Sequence, residues 1–296
     1  LLVAVALLFP LLIPRFDADT SKEYLIILLY LIGPLNAVMS AMPELIRLQS
    51  LMRNMVAFCQ SIRSDARAAD ASPPPAVHTL ELSAVSFHYP ASGAEGERFG
   101  VGPLSLTAQS GKAYFLTGGN GSGKSTLAMI LAGLYAPSQG TVKVNGEEVP
   151  HRRLLELTRA IFSDNWLFKR LYDPALAQSR EAINRNIALL GLAGKTELRD
   201  DGAFDSIKLS TGQRKRLSLA MLLADPSPLV VLDEWAADQD PRAKARFYQE
   251  WLPMLKAQGR IVFVVTHDDE YFAEADALIT MKNGQLIELK EESYVC

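Results

Sequence analysis

Two apolar stretches without charge dominate the N-terminal part of the chain. Leu1–Pro14 contains no charged residue, and Tyr24–Pro43 is a second uncharged run, rich in Leu and Ile. A helix of fourteen residues spans about 21 Å, whereas one of twenty spans about 30 Å, the thickness of a bilayer's hydrocarbon core. The pattern predicts a full membrane helix over Tyr24–Pro43. It also predicts that Leu1–Pro14 is the end of another membrane helix, which starts ahead of Leu1.

Helical spacing continues after the second apolar run and then stops at a proline cluster. Between Glu44 and Ala69 the spacing is carried by Leu45, Leu48, Leu51, Met52, Met55, Phe58 and Ile62. It predicts an amphipathic extension of the membrane helix. The prolines of Ser72–Pro75 cannot continue a helix. We therefore expect residues 1–69 to be the C-terminal part of a membrane domain, residues 70–78 a linker, and residues 79–296 a second domain.

Basic residues indicate which side of the membrane the second domain occupies. Arg47, Arg53, Arg63 and Arg67 follow the second apolar run, whereas Arg15–Glu23 mixes both signs of charge. Positive residues are enriched on the cytoplasmic side, so we expect residues 79–296 to be cytoplasmic. The alternative interpretation of residues 1–43 is a buried hairpin of soluble helices.

Short β-like runs appear from Thr79 onward, several of them separated by helical segments. They are Leu80–Phe87, Ala113–Leu116, Thr141–Val144, Leu229–Leu232 and Ile261–Val265. The last two are apolar on both faces, which is typical of central strands in a parallel sheet that is covered on both sides. The second domain is therefore predicted to be α/β.

Composition narrows the class of partner. The net charge is −3 at pH 7, so there is no general basic field that would attract nucleic acid. The two cysteines, Cys59 and Cys296, lie far apart without metal-ligand spacing, which argues against a zinc site or a disulfide framework.

A phosphate-binding loop follows the strand predicted at Ala113–Leu116 and precedes an apolar helix. Its residues are Gly118, Gly119, Asn120, Gly121, Ser122, Gly123, Lys124, Ser125 and Thr126. Glycines let the backbone N–H groups and the next helix's N-terminus point at a phosphate. Lys124 would add a positive charge near the β- and γ-phosphates of ATP, and the Ser125 hydroxyl would bind Mg²⁺.

Two acids end the apolar run Leu229–Leu232. Asp233 is placed to hold Mg²⁺, and Glu234 is placed to act as the general base on the attacking water. Downstream of a phosphate loop, this pair predicts a nucleotide-hydrolysing site.

A third motif distinguishes this chain from other phosphate-loop proteins. Leu209–Gln213 opens a predicted helix and resembles the signature motif of ATP-binding-cassette (ABC) transporters, with Thr211 in place of a glycine. The resemblance implies an ABC-type P-loop ATPase domain preceded by remnants of an α-helical transmembrane domain. It also implies that Ser210, Gly212 and Gln213 bind the γ-phosphate held by an opposite domain. The run Arg214–Arg216 is predicted to be a solvated or sheet-packing face rather than a nucleic-acid patch.

The remaining family landmarks occur in order between Leu80 and Glu288. By resemblance, Tyr89 stacks on adenine, His267 contacts the γ-phosphate, and Asp238 lies in the loop that communicates between paired domains. One departure concerns the position where most members have a glutamine, since this chain has Ser163 followed by Asp164. A serine is too short to reach the metal, so a water bridges the gap or Asp164 takes part.

Four short sequence segments narrow the resemblance to the bacterial cyclic-peptide and siderophore exporter group. The matching segments are Phe162–Asp164, Leu209–Leu217, Asp233–Pro241 and Thr266–Phe272. This implies a homodimer in the bacterial inner membrane, in contact with lipid, that uses ATP and Mg²⁺ to export a peptide or siderophore, without nucleic acid. The alternative is a soluble ABC-type ATPase in DNA repair or translation. A phosphotransferase would leave the signature motif unexplained.

Overall fold

The structure, a computed structural model, describes residues 18–65, 76–89, 99–172 and 179–291. The chain divides into two compact units, Leu1–Ala71 and Ser72–Cys296. The predicted membrane run Leu1–Pro14, most of the predicted linker, and Cys296 lie outside the described residues.

One long helix, α1 (Ala18–Asp65), makes up the described part of the first unit and continues through Pro34 and Pro43. Many of its large apolar side chains are exposed: Ile26, Ile27, Tyr30, Leu31, Leu35, Val38, Met39, Met42, Leu45, Ile46, Leu48, Leu51, Met52, Met55 and Val56. In the part of the chain that the structure describes, no helix is both long and apolar enough to span a bilayer, which differs from the prediction for Tyr24–Pro43.

The described residues of the second unit form two β-sheets. An antiparallel sheet has the order β2 (Gly100–Gln109), β1 (Thr79–His88), β4 (Gln139–Val144) and β5 (Glu147–Glu148). A larger sheet has the order β10 (Gln285–Glu291), β9 (Ala277–Lys282), β3 (Ala113–Thr117), β8 (Ile261–Val265), β7 (Leu229–Asp233) and β6 (Thr158–Ile161). Strands β9, β3, β8, β7 and β6 are parallel, and β10 pairs antiparallel to β9.

Helices cover the larger sheet. They are α2 (Lys124–Leu131), α3 (His151–Leu157), α4 (Arg180–Leu189), α5 (Thr211–Ala224), α6 (Pro241–Arg246) and α7 (Leu252–Ala257), with a π-helical turn at Phe247–Trp251 and 3₁₀ turns at Trp235–Asp238 and Asp269–Glu274. The described helices α2 and α3 pack in the core shared with the antiparallel sheet, whereas α4, α5 and α7 pack in a second core on the opposite face.

The central strands explain why their sequences are apolar throughout. Along β7, Leu229 and Val231 belong to the first core, whereas Val230 and Leu232 belong to the second. Successive residues of a strand point to opposite faces, so a sheet that is covered on both sides needs apolar residues at every position. The predicted α/β class and the central strands at Leu229–Leu232 and Ile261–Val265 are confirmed.

Arg260 is a buried polar side chain that fastens the end of α5. Its guanidinium donates to the carbonyl oxygens of Leu222, at 2.9 Å, and of Leu223 and Asp225. These carbonyls lie at the helix C-terminus, where the acceptors run out of intrahelical donors. That of Leu222 also accepts from the backbone N–H of Asp225 at 3.2 Å. Burial lowers the pKa of Arg260, and the charge of Asp225 opposes that change.

Replacing this arginine should therefore destabilise the second unit. Arg260→Met would remove the guanidinium donors from the carbonyl oxygens of Leu222, Leu223 and Asp225, and we expect the free energy of unfolding to fall by about 2–4 kcal/mol. Urea denaturation measures the change, with the exposed Arg185→Met as the matched control. Equal stabilities for the two variants would contradict this role of Arg260.

Candidate active site

Four predicted site segments follow four neighbouring strands of the larger sheet. The phosphate loop follows β3, His267 follows β8, Glu234 follows β7, and Ser163 follows β6. Because these strands are parallel, their carboxyl ends meet at the same edge, which is where ligands bind in open α/β sheets. The structure therefore brings these segments, far apart in sequence, to one edge.

The phosphate loop needs glycine at two positions because of its backbone path. Gly118 has a φ of +138°, and a Cβ there would lie 2.2 Å from the carbonyl oxygen of Met281. Gly123 has a φ of +102°, and a Cβ there would lie 2.8 Å from Val101 Cγ2. Any other residue would be strained and would clash, so these glycines set the turn from β3 into α2.

Lys124 opens α2, and its side chain folds back into the loop. Its Nζ donates to the carbonyl oxygens of Gly118, at 2.8 Å, and Gly119, at 3.0 Å. The side chain is buried, and burial lowers the pKa of Lys124, while the charges of Glu234 and Asp233 oppose that change. An ammonium group is thus held inside the loop near both acids.

Asp233 is a buried carboxylate with an unused acceptor. The backbone amide of Ser163 lies close enough to the carboxylate to lower its pKa. Its Oδ1 has no hydrogen-bond partner among the described residues. Burial, followed by repulsion from Glu234, raises the pKa of Asp233, whereas Lys215 and Lys124 lower it. A free carboxylate oxygen near a phosphate loop, together with the exposed Ser125 hydroxyl, matches the oxygen ligands that Mg²⁺ prefers.

Because Asp233 is buried, we expect its charged carboxylate to lower the stability of the ligand-free protein. The carboxyl group has an ordinary pKa of 3.8, and a pKa raised by folding means that the charged form is disfavoured once the pH exceeds that value. Asp233→Asn should raise the free energy of unfolding by about 1–2 kcal/mol at pH 7 without ligand, and the gain should vanish near pH 4.

Thermal denaturation of the ligand-free protein at both pH values measures the change. The exposed Asp200→Asn serves as the control, because this carboxylate pairs with Arg180 at the surface. A lower melting temperature for Asp233→Asn at pH 7 would contradict the expected gain.

Glu234 and His267 face each other at the ends of adjacent strands. Glu234 Oε1 lies 3.8 Å from His267 Nε2, and both side chains are partly exposed. The backbone of Glu234 is left-handed, with φ 49° and ψ 39°, and its N–H donates to the carbonyl oxygen of Val265 at 3.0 Å. The carboxylate and the imidazole therefore share one open edge of the site.

Hydrogen bonds hold the turn that carries His267. Thr266 Oγ1 lies 2.7 Å from the hydroxyl of Tyr248 and accepts from the N–H of Asp268 at 3.0 Å. The Asp268 carboxylate also accepts from Tyr248 at 3.0 Å and from Lys244 at 2.6 Å. These contacts fix the turn that presents the imidazole.

Tyr89 lies in an aromatic cluster beside α2. Its hydroxyl is 3.1 Å from Thr126 Oγ1, and its ring meets Phe87 and Tyr135 edge-on, at 5.1 and 5.8 Å between centroids. The hydrogen bond with Tyr89 raises the pKa of Tyr135. The ring is partly exposed, so the structure places an aromatic surface next to the phosphate loop's helix.

The signature residues lie at the start of α5. Ser210 and Gln213 form a reciprocal cap, because Ser210 Oγ accepts from the N–H of Gln213 at 3.4 Å and Gln213 Oε1 accepts from the N–H of Ser210 at 3.2 Å. The carbonyl oxygen of Gly212 accepts from the Gln239 amide at 3.1 Å. The predicted helix over this segment is confirmed, and its N-terminus packs on the turn that contains Asp238.

The segment Arg214–Arg216 is not simply a solvated face, since Lys215 is 1% exposed and its Nζ lies 2.7 Å from the Asp238 carboxylate. The sequence contains a signal for the burial of Lys215, because Leu219 and Leu222 follow it at helical spacing and are buried. The carboxylate of Asp238 is therefore paired within its own chain.

Ser163 and Asp164 are exposed and line a cleft with Thr211.

Comparisons with known proteins agree with this geometry. The family described as ABC transporter matches residues 101–237. The ATP-binding protein SyrD of Pseudomonas syringae pv. syringae is 35% identical over 285 residues, covering 92% of this chain and 50% of SyrD. The energy-coupling factor transporter ATP-binding protein EcfA of Syntrophomonas wolfei is 32% identical over 195 residues, covering 62% of this chain and 71% of EcfA.

A solved structure shows the same fold. An ATP-binding cassette captured as a dimer after hydrolysis, with ADP and phosphate bound, has a TM-score of 0.58 and 21% identity, covering 72% of this chain and 99% of that one. The chain therefore belongs to the ABC transporter family and contains its ATP-binding, ATP-hydrolysing domain. It spans about half the length of SyrD.

Proposed function

We propose that two copies of this chain hydrolyse ATP at shared sites, and that hydrolysis drives export of a peptide-like or siderophore substrate across the bacterial inner membrane. The observation that carries the proposal is that one sheet edge brings together Lys124, Asp233, Glu234 and His267. The start of α5, which contains the signature residues, packs on the turn that contains Asp238. One copy thus supplies a phosphate-binding face and a separate phosphate-capping helix start.

In this proposal the loop and its helix bind the triphosphate. The loop glycines Gly118, Gly119, Gly121 and Gly123, with Asn120, Ser122 and Thr126, surround the β-phosphate with backbone N–H groups, and the N-terminus of α2 adds favourable dipoles. The Lys124 ammonium exchanges its loop carbonyls for phosphate oxygens. Tyr89 offers its partly exposed ring to the adenine.

Ser125 and Asp233 would hold Mg²⁺, which supplies positive charge to the phosphate oxygens when bound. The buried free Oδ1 of Asp233 is the observation that supports this donor set. The backbone amide of Ser163 lowers the pKa of the Asp233 carboxylate, which links the segment Ser163–Asp164 to the same position. That link would take the place of the longer glutamine found in most relatives.

Glu234 would act as the general base. As the oxygen of water attacks the γ-phosphorus, Glu234 takes the water's proton and the bond to the β-phosphate oxygen breaks, giving ADP and phosphate. His267 lies 3.8 Å from that carboxylate and would donate a hydrogen bond to the γ-phosphate. This catalysis consists mostly of positioning and charge stabilisation.

A second copy would complete the site. Ser210, Gly212 and Gln213 lie at the N-terminus of a fourteen-residue helix, which favours a terminal phosphate. Ser210 is exposed, and Asp238 is partly exposed beside it, so both remain accessible to a partner. Two copies facing each other would each cap the γ-phosphate held by the other, as isologous pairs do.

The N-terminal segment supports attachment to a membrane domain. Residues 79–296 make up about three quarters of the chain, so a match covering 92% of it must extend into the segment before residue 79. The described apolar side chains of α1 are exposed within their unit. We infer that α1 belongs to a membrane domain, with the ATPase domain on the cytoplasmic side.

Uptake into inverted membrane vesicles tests the export function. Vesicles from cells that produce the polypeptide carrying this sequence should accumulate a cyclic peptide or a siderophore when ATP is added, and a Glu234→Gln variant should accumulate neither. ATP hydrolysis that stays in the soluble fraction, without uptake of either substrate class, would overturn the export proposal and favour a soluble ATPase.

A further inference from the structure

Lys215 is a fully buried cation within the helix that starts at the signature turn. Its side chain is 1% exposed, and an ammonium removed from water is costly unless specific acceptors replace its hydration. Here Nζ donates to the carbonyl oxygen of Glu234 at 2.8 Å and to the carboxylate of Asp238 at 2.7 Å. The same charge opposes the rise in the pKa of Asp233 that burial causes.

The first of these bonds acts on an unusual backbone. Glu234 is left-handed, with a φ of 49°, a conformation that is unfavourable for a residue with a Cβ. Its N–H is held by the carbonyl oxygen of Val265, two residues before His267, and its carbonyl oxygen is held by Lys215. One hydrogen bond on each side of the Cα therefore keeps the Glu234 carboxylate directed towards His267.

The link between α5 and this turn runs in both directions. The indole Nε1 of Trp235 donates to the carbonyl oxygen of Lys215 at 3.1 Å, and the buried indole stacks on Phe247 at 4.5 Å. The contact at Gly212 is equally close, because a Cβ there would lie 2.6 Å from the carbonyl oxygen of Asp238. The start of α5 and the turn after β7 are thus packed and bonded as one unit.

We propose that Lys215 is a positioning residue for ATP hydrolysis. It holds Glu234 in its left-handed conformation and, through its ion pair with Asp238, fixes the start of α5 to the turn after β7. The inference rests on the proposed role of Glu234 as the general base. Lys215 does not touch the nucleotide in this account. Its effect on the rate passes through the orientation of the Glu234 carboxylate.

Steady-state kinetics of Lys215→Met tests this role. Because a small displacement of a reacting group costs up to about a hundredfold in rate, kcat should fall by about 10- to 100-fold. ATP affinity should change less than about threefold, since the phosphate loop is untouched. Lys215→Arg keeps donors for Glu234 and Asp238 and should recover part of kcat.

A matched lysine separates positioning from general stabilisation. Lys256 pairs with Asp276 at 2.7 Å and is partly buried, but it joins α7 to the residue before β9. Lys256→Met should lower the urea midpoint and leave kcat unchanged. If Lys215→Met likewise lowered the urea midpoint and kept the wild-type kcat, the positioning role would be overturned.

A double variant tests whether the effect passes through Glu234. In a Glu234→Gln background, Lys215→Met should cause no further loss of rate, because coupled residues are not additive. The same fold-loss in both backgrounds would overturn the inference while leaving Glu234 as the base. Full activity of Glu234→Gln alone would instead overturn the proposed base, and this inference with it.

Discussion

Glu234→Gln should lower kcat for ATP hydrolysis by about 10²- to 10⁴-fold, the range typical for removal of a general base. The amide has nearly the shape of the carboxylate and cannot accept the water's proton. ATP binding should persist, because Lys124 and the phosphate loop are unchanged. ATP should then hold two copies of the variant together, since the step that releases them is blocked. Phosphate release and size-exclusion chromatography with ATP measure the two effects.

The control for this variant is Glu147→Gln. Glu147 is an exposed residue of β5, in the antiparallel sheet, and its replacement should change neither rate nor association. A Glu234→Gln variant that hydrolyses ATP at the wild-type rate would mean that another group activates the water. A variant that is inactive and stays monomeric with ATP would contradict the shared site.

Lys124→Ala should weaken ATP binding by about 30- to several thousand-fold, corresponding to the 2–5 kcal/mol that follows truncation of a buried charged partner. In the free protein the ammonium is held by the carbonyl oxygens of Gly118 and Gly119, so it is already placed where phosphates would lie. Titration with a fluorescent ATP analogue measures the dissociation constant.

The stability of this variant should change little, in contrast to its affinity for ATP. Burial lowers the pKa of Lys124, which means that the folded protein disfavours the ammonium; its removal should cost little stability. Lys143→Ala, on β4, is the control and should bind ATP normally. Unchanged affinity in Lys124→Ala would show that the loop does not bind the triphosphate.

The sequence predicted the central strands of the larger sheet well because both faces of this sheet are covered. Strands such as Leu229–Asp233 need apolar residues at every position, and this is visible without a structure. Strand β2 was missed because Gly102 and Pro103 interrupt its pattern. Strand β6 was missed because it follows α3 without an intervening loop.

The hairpin of β9 and β10 was also missed, although the sequence contains a signal for it. Asn283 and Gly284 both have positive φ and separate two runs of alternating polarity, which is typical of a two-residue hairpin turn. The β9 backbone matters for the site, since the carbonyl oxygen of Met281 is what excludes a side chain at Gly118.

Most of the candidate site was predictable from motifs, whereas its internal connections were not. The motifs place the phosphate loop, Glu234 and His267 after strands, and parallel strands bring those ends together. Motifs contain no information on which polar side chain is buried in the final packing. The pairing of Lys215 with Asp238 depends on the docking of α5 onto the turn after β7, which only the tertiary structure defines.

The most direct test of the account is phosphate release per molecule of protein, measured across roughly a thousandfold range of concentration at saturating Mg-ATP. A site completed by a second copy predicts a rate per molecule that rises with concentration and then reaches a plateau as pairs form. A rate per molecule that stays constant over the whole range, and that persists in Ser210→Arg, would contradict the shared site.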